Sequence, residues 1–545
     1  KDSRRCFPIS QRMERPNGPN QYGNVTSANC PSPYRGGLFG EEFENSVFIS
    51  EPVHNLVHQE VLEPDGVTFK SRRAKGEEDS EFLASTDNWF RPAMTKTGPD
   101  GALYVADMYR LVIEHPQWIP PAMQSRVDLR EGSDKGRIWR IYPKGAKLRK
   151  TPKLQGKNSK DLAGMLDSPN GWLRDTIHRL LLERNDKSSR DILRGLVKKS
   201  TNPKVRLQAL CILEGLGGLD SDLLENALQD PHSGVREHAV RVCEKDHAHL
   251  IPSRLQDNSV RVRRQVAFSL GEWKDPKAAQ ALLEIAEAET KNPRIQLAVK
   301  SSALPHSAEM LKQAFQAKRK IPAELTADLI RFSTIEENLS SLGRVFDEIA
   351  SDKDPFRQFT LTKAFLDATE QGNKNLEKTR VRLEKVFTRA RDITKDPTAD
   401  EKTKGSAVAL LGRGIRKKQE DLELLGQLLS AGRRPAIRKA ALSSIQRLNN
   451  SSTPSTLLAG WNSYAPSERL KITDFLLGRE ESKNFLVNAI KAGRIPANQV
   501  SPAHRQRIIS GASKEAVKKL KKLLGAIDAN REKVIKGYAN TGKLS

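Results

Sequence analysis

GPDGALYVADMYR, residues 98–110, decides how this chain is read. Pro99-Asp100-Gly101 carries turn chemistry: Pro presets φ, Asp bonds its own backbone, and Gly tolerates the left-handed region. Ala102-Leu103-Tyr104-Val105-Ala106 then predicts a short buried strand, closed by Asp107. The same turn stands 35 residues earlier, at Pro64-Asp65-Gly66. Further β-like runs surround the two turns: Val47 to Ile49, Asn55 to Leu62, Val67 to Arg72, Leu111 to Glu114 and Arg137 to Tyr142. Residues 1–37, rich in Pro, Gly, Asn and Ser, predict a long loop. Short strands with a turn at this period are expected of propeller blades. Two blades cannot close a propeller, so residues 1–145 read as the last blades of an incomplete one.

From about residue 155 the pattern becomes helical. An apolar residue, then a basic or polar one, then a small or apolar residue three further on, recurs along the chain. The instances are Leu173-Arg174 with Ile177, Val205-Arg206 with Ala209, Val235-Arg236 with Ala239, Val262-Arg263 with Val266, Ile295-Gln296 with Val299, and Ile437-Arg438 with Ala441. The first five are spaced 32, 30, 27 and 33 residues apart. Asn202-Pro203, Asp230-Pro231 and Asn292-Pro293 are helix starts with Pro behind an Asx cap. Antiparallel helix pairs at a period near 30 predict an α-solenoid. Asp230 precedes Arg236 by six residues and Asp257 precedes Arg263 by six, a placement that resembles the HEAT-repeat family. That resemblance implies a structural ladder in which acids and bases of adjacent repeats meet. Between about 310 and 420 the register is lost, although helices such as Asn375 to Arg391 continue.

The expected fold is therefore multidomain β + α: a partial β-propeller over 1–145, a linker over 146–160, and a HEAT-like α-solenoid over 161–535. Charge separates the two parts. Residues 1–145 carry 19 Lys and Arg against 20 Asp and Glu, and residues 146–545 carry 73 against 47. The surplus favours an acidic partner, whether protein, anionic polysaccharide, lipid or nucleic acid, or it is a solvated Lys-rich surface with no dedicated ligand. Nucleic acid is the less favoured partner, since few aromatics beyond Trp273 and Trp461 interleave the basic residues. Ser513 to Leu524, SKEAVKKLKKLL, puts Ala516, Val517, Leu520, Leu523 and Leu524 on one helical face. It either lies on an anionic surface or closes the solenoid. No run of 18 apolar residues occurs, so no membrane span is expected. Cys211 and Cys243 read as buried thiols, while Cys6 and Cys30 are open to a disulfide. Neither CxxC nor CxxCH occurs.

Thr86 to Pro120, TDNWFRPAMTKTGPDGALYVADMYRLVIEHPQWIP, is similar to the planctomycete-type membrane-bound dehydrogenase family. The likeness continues through Asp128-Leu129-Arg130 and Gly136 to Ile141. It also includes Tyr34-Arg35-Gly36, Glu51 to His58 and Glu81 to Ser85. The resemblance implies a quinoprotein sugar dehydrogenase-like β-propeller followed by HEAT repeats, commonly with a C-terminal cytochrome c domain. On that reading this chain is an internal fragment of an exported, periplasmic redox protein, inactive alone. Pyrroloquinoline quinone (PQQ) and Ca²⁺ would belong to the complete propeller, and haem c to a further domain after Gly537 to Gly542, which the resemblance makes part of a linker over 536–545. The early blades that would supply a base and most of a quinone pocket are not in this sequence.

Arg91 and Arg110 are candidates to hold an anionic quinone or sugar acid by paired hydrogen bonds, or else to bridge blades through Asp107 or Asp87. Asp107 is counted with them as a cofactor candidate. His115 is a candidate base or ligand, or a structural hydrogen bonder. His54 and His58 do not share a helical face, and no metal site is assigned. Asp65 and Asp100 fit turns better than Ca²⁺ ligation. Two functions follow: the redox protein with its solenoid as an interaction scaffold, and a non-enzymatic scaffold whose basic solenoid holds an acidic partner.

Overall fold

A computed structural model describes residues 5–12, 22–243, 245–317, 319, 321–335, 349–371, 377–430, 432–448, 450–510 and 513–524. The expected 536–545 linker, the 525–535 end of the expected solenoid, parts of the 1–37 loop and the start of the Asn375 to Arg391 helix lie outside the described residues. The chain divides into two compact units, Lys1–Ser302 and Ala303–Ser545.

The first unit opens with two antiparallel sheets. One runs β1 (Asn29–Pro33), β2 (Ser46–Glu51), β3 (Leu56–Asp65), β4 (Thr68–Arg73), with β5 (Leu83–Ala84) also paired to β3. The other runs β6 (Pro92–Thr97), β7 (Leu103–Asp107), β8 (Arg137–Ile141). Both Pro-Asp-Gly turns join hairpins, with Gly66 at φ 61° and Gly101 at φ 92°, a region that costs Gly nothing. In β7 the alternation is regular: Leu103, Val105 and Asp107 face inward. The sheets enclose Tyr34, Phe39, Phe48, Val57, Phe90, Leu103 and Val105. Phe39 stacks on Tyr34 at 4.2 Å, and Phe48 lies 4.4 Å from Phe82. Each such buried side chain contributes about 1.5–3 kcal/mol. β6 was not expected, because Pro92 and Lys96 break a strand pattern. Leu111 to Glu114 form no strand: the carbonyls of Arg110 and Leu111 accept from the Arg91 side chain instead of a neighbouring strand.

After the short helix α1 (Pro121–Gln124) the solenoid begins with α2 (Ser159–Gly164), α3 (Gly171–Arg184), α4 (Arg190–Lys199), α5 (Pro203–Gly215), α6 (Ser221–Leu228) and α7 (Ser233–Val242). It continues with α8 (Val260–Ser269), α9 (Pro276–Ala288) and α10 (Pro293–Ser302). Helices α3, α5, α7, α8 and α10 carry the sequence signature and pack in that order as one layer. α2, α4 and α6 form the facing layer, continued by 3₁₀ turns over Lys245–Arg254 that contain Pro252. Those turns replace a helix in the repeat with the short 27-residue spacing. Ile177, Val205, Ala209, Val235, Ala239, Val262, Val266, Ile295 and Val299 are all fully buried. Asn170, Asn202 and His232 cap α3, α5 and α7 by accepting from the amides of Trp172, Lys204 and Gly234. Such caps contribute about 1 kcal/mol each.

The opening stretch is where sheet meets helix. Asn170 Nδ2 donates to the carbonyls of Gly98 (3.1 Å) and Pro99 (3.0 Å), while its Oδ1 caps α3. The Gly171 amide donates to Arg35 O at 2.7 Å. A Cβ on Gly36 would lie 2.2 Å from Gly101 O, so only glycine allows this approach. Arg149, inside the expected linker, donates to the carbonyls of Gly36 and Gly37.

Among its described residues the second unit contains helices and no strand. Its core includes Leu411, Leu425, Ile445, Leu457, Trp461, Ile472, Leu486 and Ile508. The basic helix Lys514–Leu524 packs on this core through Val517, Leu520, Leu523 and Leu524, leaving Lys518, Lys519, Lys521 and Lys522 exposed. Its apolar face therefore lies on the helical core. Among the described residues no helix is long and apolar enough to cross a membrane. Cys6, Cys30, Cys211 and Cys243 are all free thiols, so the Cys6–Cys30 disulfide is absent. Burial pushes the Cys6 and Cys243 thiols up to about 12.

A buried ion cluster in the sheet part makes stability depend on pH. His58 Nδ1 lies 2.6 Å from Glu81 and Nε2 lies 2.9 Å from Glu60. Burial disfavours the charged ring, but these two hydrogen bonds outweigh it and raise His58 to about 9. A folded value above the unfolded value of about 6.5 means stability present in full below pH 6.5 and lost as pH rises through 9. Denaturant unfolding is expected to show a loss on the order of 2–3 kcal/mol across that window. His58→Gln should flatten the dependence; an unchanged slope in that variant would assign it to other groups.

Candidate functional site

The sheet-borne candidates are occupied by the backbone. Arg91 is 1% exposed. Its guanidinium donates to Pro52 O (2.8 Å), Arg110 O (2.9 Å) and Leu111 O (2.6 Å), and its amide to Asp107 Oδ1 (2.7 Å). It fastens three loop carbonyls. Asp107 is equally engaged: Oδ1 also accepts from the Tyr109 amide (2.9 Å), and Oδ2 from Trp139 Nε1 (3.1 Å). Arg137, which sequence reasoning did not single out, is the residue that reaches both Asp87 (3.4 Å) and Asp107 (3.5 Å). Its guanidinium lies 3.3 Å from the Tyr109 ring centroid, bracing a residue held at φ 52°. Arg110 is half-buried and contributes its carbonyl to Arg91. His115 is exposed, and its Nδ1 accepts from the Gln117 amide as a cap. Asp100 accepts from the Ala102 amide and from Tyr104 Oη, a turn-holding role. His54 and His58 pair with Glu51 and with Glu60 and Glu81 respectively. Among the described residues no group of three or more His, Cys, Asp or Glu is placed to hold a metal.

The helical part carries a ladder of ion pairs. Arg206 meets Asp230 at 2.6 and 2.7 Å, and Arg236 meets Asp257 at 2.8 and 2.8 Å. Arg263 meets Glu289. Each arginine also donates Nη1 to the carbonyl six residues before it, at Ser200, Asp230 and Asp257 respectively. Hydrogen bonds donated to these acids hold Arg206 and Arg236 above their ordinary values. Asp230 and Asp257 also turn back on their own helices, accepting from the amides of His232 and Ser259. The acid therefore joins two repeats and starts a helix at once. In the second unit Arg391 and Asp421 form a similar buried pair at 2.7 and 3.3 Å. Sequence reading passed over that pair because the surrounding register was lost.

Lysines and acids both stand outside the ladder. Lys160, Lys187, Lys198, Lys199, Lys277 and Lys291 are exposed, whereas the ladder arginines are inside. Aromatic platforms are scarce on this surface. Trp461 is 1% exposed, with its Nε1 donating to Gln499 at 2.8 Å, and Trp273 is half-buried.

A family model described as a domain of unknown function, DUF7133, matches residues 1–145. That match spans the two sheets and ends just after β8. No curated protein matches the chain at a significant level. Among solved structures, a Kap121p mutant is similar over 69% of this chain and 50% of its own, at 12% identity and TM-score 0.38. Kap121p itself is similar over 70% and 44%, at 11% identity and TM-score 0.33. The S. pombe condensin Cnd3-Cnd2 subcomplex is similar over 69% of each chain, at 13% identity and TM-score 0.23. This chain thus spans about half the length of the Kap121p chains. Its repeat architecture stands on its own helix pairing and ladder, independently of these likenesses.

Proposed function

We propose that the chain is a non-enzymatic binding scaffold whose basic helical repeats hold an acidic protein segment. The observation that carries this reading is the partition of charge. Arg206, Arg236 and Arg263 are each paired with an acid of the next repeat, while residues 146–545 carry 73 Lys and Arg against 47 Asp and Glu. Such a field raises the local concentration of an acidic chain and speeds its docking. The scarcity of exposed aromatics disfavours single-stranded nucleic acid.

The sheet part is inferred to be a pair of propeller blades, fused as a rigid base for the first repeats. Its antiparallel hairpins and repeated turn support that inference. The redox reading, which the sequence resemblance supports, would need Arg91, Asp107 or His115 to face a quinone. All three are engaged in holding backbone, which favours the scaffold reading.

Titration of the full chain with fluorescent polyglutamate tests the proposal. Binding is expected at low ionic strength and should weaken at least tenfold between 50 and 200 mM salt. Tighter binding of duplex DNA or heparin than of polyglutamate would replace the acidic-protein reading. Absence of any binding would remove it.

A further inference from the structure

β8 is the last strand of its sheet. It pairs with β7 along one side and with no described strand along the other. Every second residue of such a strand turns its N–H and C=O outward, where a further strand can pair with them. Natural sheets commonly block an open edge with proline or with charge. β1, an edge of the first sheet, carries Pro31 and Pro33. β8, RIWRI over Arg137–Ile141, has no proline, and acids draw its two arginines aside. Arg137 reaches Asp87 and Asp107, and Arg140 reaches Asp100 at 3.4 Å.

The apolar side chains along this edge lie in water. Ile138 is 74% exposed, and Trp139 and Tyr142 are exposed as well. Register sets them on two faces. Ile138 stands opposite Ala106, which stands opposite the exposed Met94, so one apolar row crosses the outer face of all three strands. Trp139 stands opposite Val105 on the other face, held there by its Nε1 bond to Asp107. An added strand would cover both faces at once, its alternate side chains falling beside Ile138 and beside Trp139.

Charge decides what kind of strand fits. Glu131 and Asp134 precede β8, but Lys135 to Lys160 contains ten Lys and Arg and no Asp or Glu. Lys135, before the strand, and Lys144 and Lys147, after it, are exposed and have no ion-pair partner among the described residues. Lys135 lies over the Trp89 ring, 5.5 Å from its centroid. A second copy added edge to edge would bring two such basic runs together, which disfavours it.

We propose that β8 takes an added strand from a partner protein: an extended segment with apolar residues at its centre and acidic residues at both ends. Main-chain hydrogen bonds along β8 hold it, its central side chains cover Ile138 and Trp139, and its ends meet Lys135 on one side and Lys144 and Lys147 on the other. This surface belongs to the sheet and does not depend on the helical one.

The test is fluorescence anisotropy of the full chain with a labelled peptide, EETVTVTVEE, at 200 mM salt. One-to-one binding is expected. Of two versions N-methylated at alternate amides, at least one should bind at least tenfold more weakly, and so should KKTVTVTVKK. Ile138→Glu changes a side chain that stands in water, so the melting temperature should hold while binding of EETVTVTVEE weakens at least tenfold. Excess polyglutamate, which has no apolar centre, should not displace the peptide, and this keeps the edge distinct from the helical surface. Absence of binding, displacement by polyglutamate, or undiminished binding by both N-methylated peptides, by the lysine-ended peptide or by Ile138→Glu would overturn the proposal. Dimerisation of the full chain that Ile138→Glu abolishes would place a second copy on the edge and overturn it too.

Discussion

Asp257→Ala is expected to destabilise the Lys1–Ser302 unit by about 3–5 kcal/mol, among the largest effects of any single change in the ladder. The Asp257 side chain is 1% exposed and its Arg236 partner 9%. Removing the carboxylate strands a guanidinium that is bound through both Nε and Nη2 and has little access to water. It also removes the acceptor of the Ser259 amide at the start of α8. Replacing both partners, Arg236→Met with Asp257→Leu, should cost far less, because no buried charge remains. Urea unfolding of the two variants checks this. A double variant as unstable as Asp257→Ala would show that the rung is needed for more than charge balance.

Arg91→Met is expected to cost about 3–6 kcal/mol. It retains the volume but leaves the carbonyls of Pro52, Arg110 and Leu111 without their donor, at roughly 1–3 kcal/mol for each buried orphan. Loss of native near-ultraviolet signal from the sheet aromatics, at lower denaturant than in the parent, is the readout. The same variant separates the two roles given to Arg91. A residue that serves an anionic ligand would leave the unfolding midpoint of the free chain close to that of the parent. A backbone staple would not.

The parts legible in the sequence were those with a local or periodic signature. Pro-Asp-Gly marks a hairpin because each residue contributes a distinct backbone constraint. The apolar-basic-small signature marks the packed layer because it recurs at the period of the repeats. β6 was hidden because its pairing with β7, not its composition, makes it a strand. Arg91 was misleading for a related reason: its acceptors are main-chain carbonyls, which no side-chain pattern announces. The rungs Arg206–Asp230 and Arg236–Asp257 span 24 and 21 residues, and the acid sits at a fixed offset before the next arginine. The sequence also has Ser200 where the later rungs carry Asp230 and Asp257, six residues before the next arginine. That difference became visible only once the neighbouring rungs showed which position the acid fills. Arg413, which contacts Asp367 and Glu370, breaks that offset, and there the repeat register disappears from the sequence.

Hydrogen–deuterium exchange of the full chain, with and without saturating polyglutamate, tests the scaffold account most directly. Protection is expected on helical peptides from residues 159–302 and 303–524, disappearing at high salt, with the sheet peptides of residues 29–141 unchanged. Protection confined to the sheet peptides, or none at saturation, would contradict it.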